Sequence, residues 1–365
     1  MNKFMYLLKH CNYYILIIPT VLSLIGISGL ASISHSSGTF LSREVLIQSA
    51  ALLLGLLFAF TVMELGCRYF ICLEKFLYIG SLVLLLSVYI PGLGTSFYGS
   101  RAWIDIGITT FQPSEPVKIA FIILMAAYLS KKSHSLNTAK GIILAVLYAM
   151  PFIVIVVKED FGSACVYCAI WVFMVFSSGL ELKIIGRIAL GLAVLFPMFY
   201  FFLAGYQKER ISAFLNQDDL SLPGTYQVWN SKVAIGSGGF MGKGYMNGTQ
   251  TDLGFLPIPE SDFIFAAIVE ELGFIGGFII LILFSVFIYQ SLKTAKYSSD
   301  LQGTLIGVGL VGMFFFQSFE NIGMTIGLMP VAGIPLPFVS YGGSALISAM
   351  IGVGLLLSIS NRQKI

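Results

Sequence analysis

Apolar runs close to or above the roughly 20 residues that a helix needs to cross a bilayer recur along the chain, from about residue 13 to residue 360. Lipid offers backbone groups no hydrogen-bond partners, so such runs must satisfy their own bonds as helices. The chain therefore reads as an all-α integral membrane protein, one polytopic domain over 1–365 without appended soluble modules. Its charged residues make up 11% and its hydrophobic ones 57%, far from the roughly 25% charged of a soluble domain. The first run starts at about Tyr13, behind Lys3 and Lys9. It is too long for a cleavable signal core and lacks a small-residue cleavage pattern, so it reads as the first span. This composition argues against nucleic acid as a partner.

Ten spans are expected, at about 13–33, 45–63, 72–90, 115–130, 139–157, 161–180, 184–205, 263–290, 302–327 and 343–360. An even count puts both termini on one side. With the termini inside, the inner segments gather most of the Lys and Arg, Lys131, Lys132, Lys140, Lys293 and Lys296 among them. The short outer loops hold only Arg43, Arg101 and Lys158. The positive-inside rule then places the termini in the cytoplasm and the long loop, about 206–262, outside between the seventh and eighth spans.

The fourth span, Glu115 to Ser130, gives a helix of only about 24 Å, short of a hydrocarbon core of about 30 Å. It is expected to start below the outer surface, with GSRAWIDIGITTFQPSE before it dipping into the membrane. GLMPVAGIPLPFVSYGG, 327–343, has three Pro, four Gly and no charge, so it can enter but cannot span as a helix. Irregular backbone at that depth is tolerated where it lines protein or a watery cavity. An outward-facing cavity is implied.

Arg101, Trp103, Glu115, Lys118, Asp160, the charges of the long loop and Asp262 all fall at the outer level of the membrane on this layout. Glu115 and Lys118 share a helix face, so they read either as a salt bridge or as the functional intramembrane charges that ionisable residues there usually are. Asp160 and Asp262 stand at helix starts, where an acid suits the dipole. The dipole does not explain why the loop also supplies Arg210, Lys232 and Lys243, as if an anion had to be held. Glu270, Glu271 and Glu320 read as helix-bracing groups paired with polar neighbours. AIGSGGFMGKG, 234–244, is not a phosphate loop of the nucleotide type, since Ser237 and Gly244 stand where that motif needs Gly and Ser or Thr. Its glycines are expected to let backbone amides approach an anion, with Lys243 adding charge. Cys165 and Cys168 read as packing residues, and no metal-ligand or triad spacing is visible.

GSRAWI at 99–104, FQPSE at 111–115, the Asp160–Ser163 element, Tyr226 to Gln250, FLP with SDFIFA at 255–266, NIGM at 321–324 and GIPLPFVSYGGS at 333–344 together resemble the SEDS family of bacterial envelope polymerases, RodA, FtsW and SpoVE. NGTQ followed by LGFLP looks more like the RodA branch. The resemblance covers nearly the whole chain. It implies a peptidoglycan glycosyltransferase that polymerises lipid II at the outer face of the bacterial cytoplasmic membrane and releases undecaprenyl pyrophosphate, with roles in cell shape or division and a class B penicillin-binding protein as partner. Asp262 matches the family's essential acid, expected as the catalytic base. Arg101, Trp103, Glu115, Lys118, Asp160, Gln207, Arg210, Lys232 and Lys243 are expected to line the cavity or hold substrate. No metal ligand set or cofactor is assigned, and a divalent cation is left open.

The chain departs from the family pattern at several places. Ile258 stands for a Glu, Ser261 for a Thr, Lys158-Glu159 for Gln-Pro, Asn230 for a Gln, and Glu320 for an apolar residue. Glu260 can stand in for the missing acid. Two other functions fit the same cavity: a flippase for lipid-linked precursor, which would want polar residues reaching both faces, and a weakly active scaffold for the penicillin-binding protein.

Overall fold

The computed structural model describes residues 11–35, 42–97, 100–107, 109–133, 136–181, 183, 186, 205–219 and 221–362. Its helices are α1 (Tyr13–His35), α2 (Arg43–Leu65), α3 (Cys67–Cys72), α4 (Glu74–Leu86), α5 (Ser114–Lys132), α6 (Ala139–Glu159), α7 (Phe161–Ser177), α8 (Gly205–Leu215), α9 (Pro223–Gly238), α10 (Thr249–Asp252), α11 (Ile264–Lys296), α12 (Leu301–Thr325) and α13 (Gly343–Arg362). Six of them, α1, α2, α6, α11, α12 and α13, are long and apolar enough to cross a membrane. The chain is a multi-pass membrane protein. The spans expected at 72–90, 115–130 and 161–180 correspond to α4 with a 3-10 turn at Ser87–Tyr89, to α5 and to α7. The seventh expected span, 184–205, lies outside the described residues apart from 186 and 205.

Close packing without a hydrophobic driving force needs small residues at the contacts. At the α2–α13 contact, a Cβ on Gly354 would lie 2.5 Å from the Ala59 carbonyl, and one on Gly55 2.9 Å from Met350. Helix α5 is buried along most of its length among α4, α7, α12 and α13. It starts at Ser114 immediately after Pro113, whose fixed φ suits a helix start.

Two segments differ from a plain helical bundle. The stretch expected to dip irregularly into the membrane forms a small antiparallel sheet, a β element that the all-α reading did not contain. It runs β1 (Gly94–Phe97), β2 (Ser100–Asp105) and β3 (Thr110–Phe111), with Thr95 opposite Trp103 and Ile104 opposite Phe111. Pairing satisfies backbone groups that would otherwise be orphaned beside the membrane.

The second segment, 330–342, enters the bundle without helix, as expected. Its carbonyls are met by buried amides: Asn321 Nδ2 donates to Ile334 O (2.8 Å) and Gln48 Nε2 to Ser340 O (2.9 Å). Phe338 has φ +67 and packs its ring against Phe287 and Phe314.

Helix α11 is broken at Gly273 (φ +69). The loop after α9 plugs the break: Lys243 N and Gly244 N donate to the carbonyls of Glu270 and Glu271, while Phe274 N and Ile275 N donate to those of Gly239 and Phe240. A Cβ on Gly242 would overlap the Glu271 carbonyl. The glycine run therefore serves backbone-to-backbone contact. The reading of its amides as an anion seat is corrected, because the amides of residues 243 and 244 are already bonded to α11.

Candidate active site

An open cavity of about 1010 Å³ forms where the N-terminal ends of α7 and α13, the turn before α11 and the 331–335 segment meet α8 and the start of α9. Trp103, Asp160, Arg210 and Asp262 all line it. Charged side chains converge there together with exposed backbone of glycine-rich loops, and Gln112, Glu209, Gln227, Glu260 and Tyr341 complete the polar wall.

Asp262 is fixed by its backbone before its side chain is considered. Ile258 takes φ +45, which turns the chain so that Ser261 N and Phe263 N reach the Ile258 carbonyl. Successive carbonyls of the turn are then held from outside: Glu260 O by Tyr341 N (2.9 Å), Ser261 O by Ser340 Oγ (2.6 Å) and Asp262 O by Asn321 Nδ2 (3.1 Å). The carboxylate accepts from Ser261 Oγ at 3.0 Å. Burial pushes its pKa above the usual carboxylate value; the Ser261 hydrogen bond and then Arg210 pull it back, and Asp160 and Glu260 push it further up. Gly333, at φ +72, lies against both acid and cation: a Cβ there would stand in contact, 3.6 Å from Asp262 Oδ2 and 3.7 Å from Arg210 Nη1.

Asp160 caps α7 by accepting from Ser163 N (3.0 Å) and Ser163 Oγ (2.6 Å), and Gln112 Nε2 donates to it at 3.0 Å. The cap and the cavity position coexist: the same carboxylate ties the β3–α5 turn to α7 on the cavity wall.

The other expected site residues lie off this wall. Arg101 donates to the Ile90 carbonyl (3.4 Å), bracing the sheet against the 3-10 turn. Lys118 Nζ and Glu115 Oε1 form a buried ion pair at 2.7 Å, realising the salt-bridge reading, with Glu115 facing a smaller adjoining pocket beside Ser340 and Gln317. Gln207 is buried in α8. Lys232 lines a separate pocket with Arg210. Lys243 pairs with Glu270 at 2.6 Å, so its expected place on the cavity is corrected: its ammonium compensates a fully buried carboxylate. Glu271 accepts from Ser32 Oγ at 2.5 Å, which matches the bracing expected of that pair. Glu320 is buried as well, but its carboxylate meets no hydrogen-bonding side chain among the described residues. The five cysteines are all free thiols, and the described His, Cys, Asp and Glu residues form no metal-holding group of three or more.

Sequence reasoning missed Gln48, Gln112, Asn321 and Ser340 as site-building residues. Gln112 and Asn321 stand inside quoted motifs, yet nothing local marks an amide as a clamp. Gln48 is an uncharged amide at the start of the apolar part of a 23-residue helix, one turn after Glu44, and an amide there was the available signal.

This is a polytopic membrane protein whose open, partly apolar cavity carries an acid and an arginine on its wall, an arrangement suited to an enzyme. The family model for the FtsW/RodA/SpoVE "cell cycle protein" group matches residues 7–365. The chain belongs to that family. The peptidoglycan glycosyltransferase MrdB of Escherichia coli K12 is 36% identical over 312 residues, covering 85% of this chain and 84% of MrdB. Stage V sporulation protein E of Bacillus subtilis is also 36% identical, over 314 residues and 85% of each chain. A chain from a solved structure concerning "polymerization and crosslinking by a peptidoglycan synthase complex" superposes with a TM-score of 0.81 at 28% identity, covering 97% of this chain and 98% of that one.

Proposed function

We propose that this chain is a peptidoglycan glycosyltransferase that polymerises lipid II at the outer face of the bacterial cytoplasmic membrane. The observation that carries the reading is Asp262, an acid with a raised pKa facing Arg210 across Gly333 on an open cavity. The family match from end to end supports it. The Lys and Arg bias supports cytoplasmic termini, which puts the cavity outside.

Asp262 takes the proton of the acceptor sugar hydroxyl as that oxygen bonds to the anomeric carbon of the lipid-linked strand. The bond from that carbon to the pyrophosphate oxygen breaks with inversion, and the electron pair leaves on undecaprenyl pyrophosphate. A base whose pKa lies nearer the operating pH is the more effective. Pyrophosphate leaves well enough to need cationic neutralisation more than a general acid, and Arg210 supplies it. Trp103 and Asp160 contact sugars, while Glu115 with Lys118 and Arg101 hold the wall in place from behind. A class B penicillin-binding protein crosslinks the product.

The test is polymerisation of lipid II by the purified protein, with and without its penicillin-binding protein. Polymer from wild type and none from Asp262→Asn is expected. Absence of polymer from wild type with its partner would favour a scaffold or a flippase, and normal polymer from Asp262→Asn would remove the base assignment.

A further inference from the structure

Behind the cavity wall, one residue before the Asn321 clamp, Glu320 is 2% exposed, and neither of its carboxyl oxygens closes a hydrogen bond to a described residue. The Ala332 amide faces it from the 331–335 segment. The next residue along, Gly333, lies against both Asp262 and Arg210. Helix α7 closes on the same segment, since a Cβ on Gly162 would stand 2.6 Å from the Ala332 carbonyl oxygen. The charged and titratable groups that face Glu320 are Asp262 from the turn before α11, Arg210 from α8, and Asp160 and Cys165 from α7.

Asp262 and Glu320 thus compete for one guanidinium. Acids that interact strongly do not both ionise: the one with the better donors takes the charge and the other keeps its proton. Asp262 has the Ser261 hydroxyl at 3.0 Å and a place on the open cavity. Glu320 has neither, and a carboxylate without hydrogen bonds costs more in the interior than the neutral acid does. The charge therefore sits on Asp262 and the proton on Glu320. Asp160 has its own donors, in Ser163 and Gln112, and does not need Arg210.

We infer that Glu320 is a positioning residue that works as a neutral acid: with its proton on, it backs Ala332 and Gly333 and leaves Arg210 to Asp262 and the leaving group. With its proton off, it draws Arg210 towards the back of the wall, and polymerisation fails at alkaline pH. The proton stays on Glu320 throughout turnover, so no transfer step is added to the reaction. The effect on polymerisation rests on the function proposed above; the neutral state of Glu320 does not.

The experiment follows lipid II polymerisation across pH by the full-length protein in nanodiscs, for wild type, Glu320→Gln and Glu320→Leu. Infrared difference spectra of the same samples report the carbonyl stretch of protonated carboxyl groups. Wild type should show an alkaline limb below the lysine range, with a protonated-carboxyl band that disappears over the same interval. Glu320→Gln, which cannot ionise, should lack that band and lose the limb. One pH unit beyond the wild-type limb, its rate relative to neutral pH should then be about tenfold above that of wild type, the fall expected from one titrating group. Glu320→Leu should lose the limb as well, at whatever rate it retains. A limb that stays in place in the variants marks a merely structural residue and overturns the inference, as does a wild-type profile without an alkaline limb. No polymer from folded Glu320→Gln at neutral pH overturns it too, because the amide reproduces the neutral acid. Polymer from wild type without a band that Glu320→Gln removes would sink this inference alone. Such a band with no polymer from wild type at any pH would sink the proposed function and leave the neutral acid standing.

Discussion

The side-chain amide of Asn321 donates to the backbone carbonyl of Asp262 at 3.1 Å and to that of Ile334 at 2.8 Å. One buried residue on α12 thus fixes the height of the candidate base against the irregular segment that runs beside it on the cavity wall. Replacing it with Ala leaves two carbonyls short of a donor, each at a cost of about 1–3 kcal/mol. Asn321→Ala is expected to lower kcat for lipid II polymerisation by about tenfold or more, with a smaller change in KM and a lower Tm. A fall in Tm with unchanged kcat would confine Asn321 to a structural role.

Asp262 must be ionised to act as a base, and its pKa is raised. The sign follows: activity is lost as pH falls through that raised value, so the acidic limb of the rate profile lies above the ordinary carboxylate range. Ser261→Ala removes the hydrogen bond that favours the charged form, and should move the limb further up in pH. A limb that stays put, or moves down, would contradict the placement of the proton on Asp262.

Lys118→Ala leaves Glu115 buried without its partner. The cost expected is about 3–5 kcal/mol, whereas Lys118→Met combined with Glu115→Leu should cost much less. Denaturation midpoints of the purified variants decide it. Equal destabilisation by single and double variants would mean that the ion pair is not what the site requires.

Gly242 has φ +82, and a Cβ there would overlap the Glu271 carbonyl. Gly242→Ala is expected to lower stability by about 1–3 kcal/mol from backbone strain, with a further penalty from pushing the loop off α11. Gly236, which faces open space, serves as the control: Gly236→Ala should be near neutral or stabilising. Similar effects from both would argue against the loop plugging the break in α11.

The class of fold was legible because its signal is local. A run of about 20 apolar residues has few ways to satisfy its backbone in lipid, so the helices at 13–35, 43–65, 139–159, 301–325 and 343–362 could be placed to within two residues, while α11, expected to end at 290, runs on to Lys296. Asp262, Asp160, Arg210 and Trp103 could be picked because charges and aromatics at the ends of spans are costly enough to need a reason.

Which of the chosen residues share a wall was settled only by tertiary packing. Lys232 and Lys243 look alike in sequence, both in the loop before α11, yet one lines a cationic pocket and the other closes on Glu270. The difference arises because Gly273 breaks α11 and lets the 238–244 loop bond across the gap, a contact between segments some 30 residues apart that no local pattern encodes. The sequence by itself determined that this chain crosses a membrane many times and carries acids and cations at the ends of its spans. The structure decided which cation faces the acid, because an ion pair forms wherever packing brings a buried carboxylate and an ammonium together.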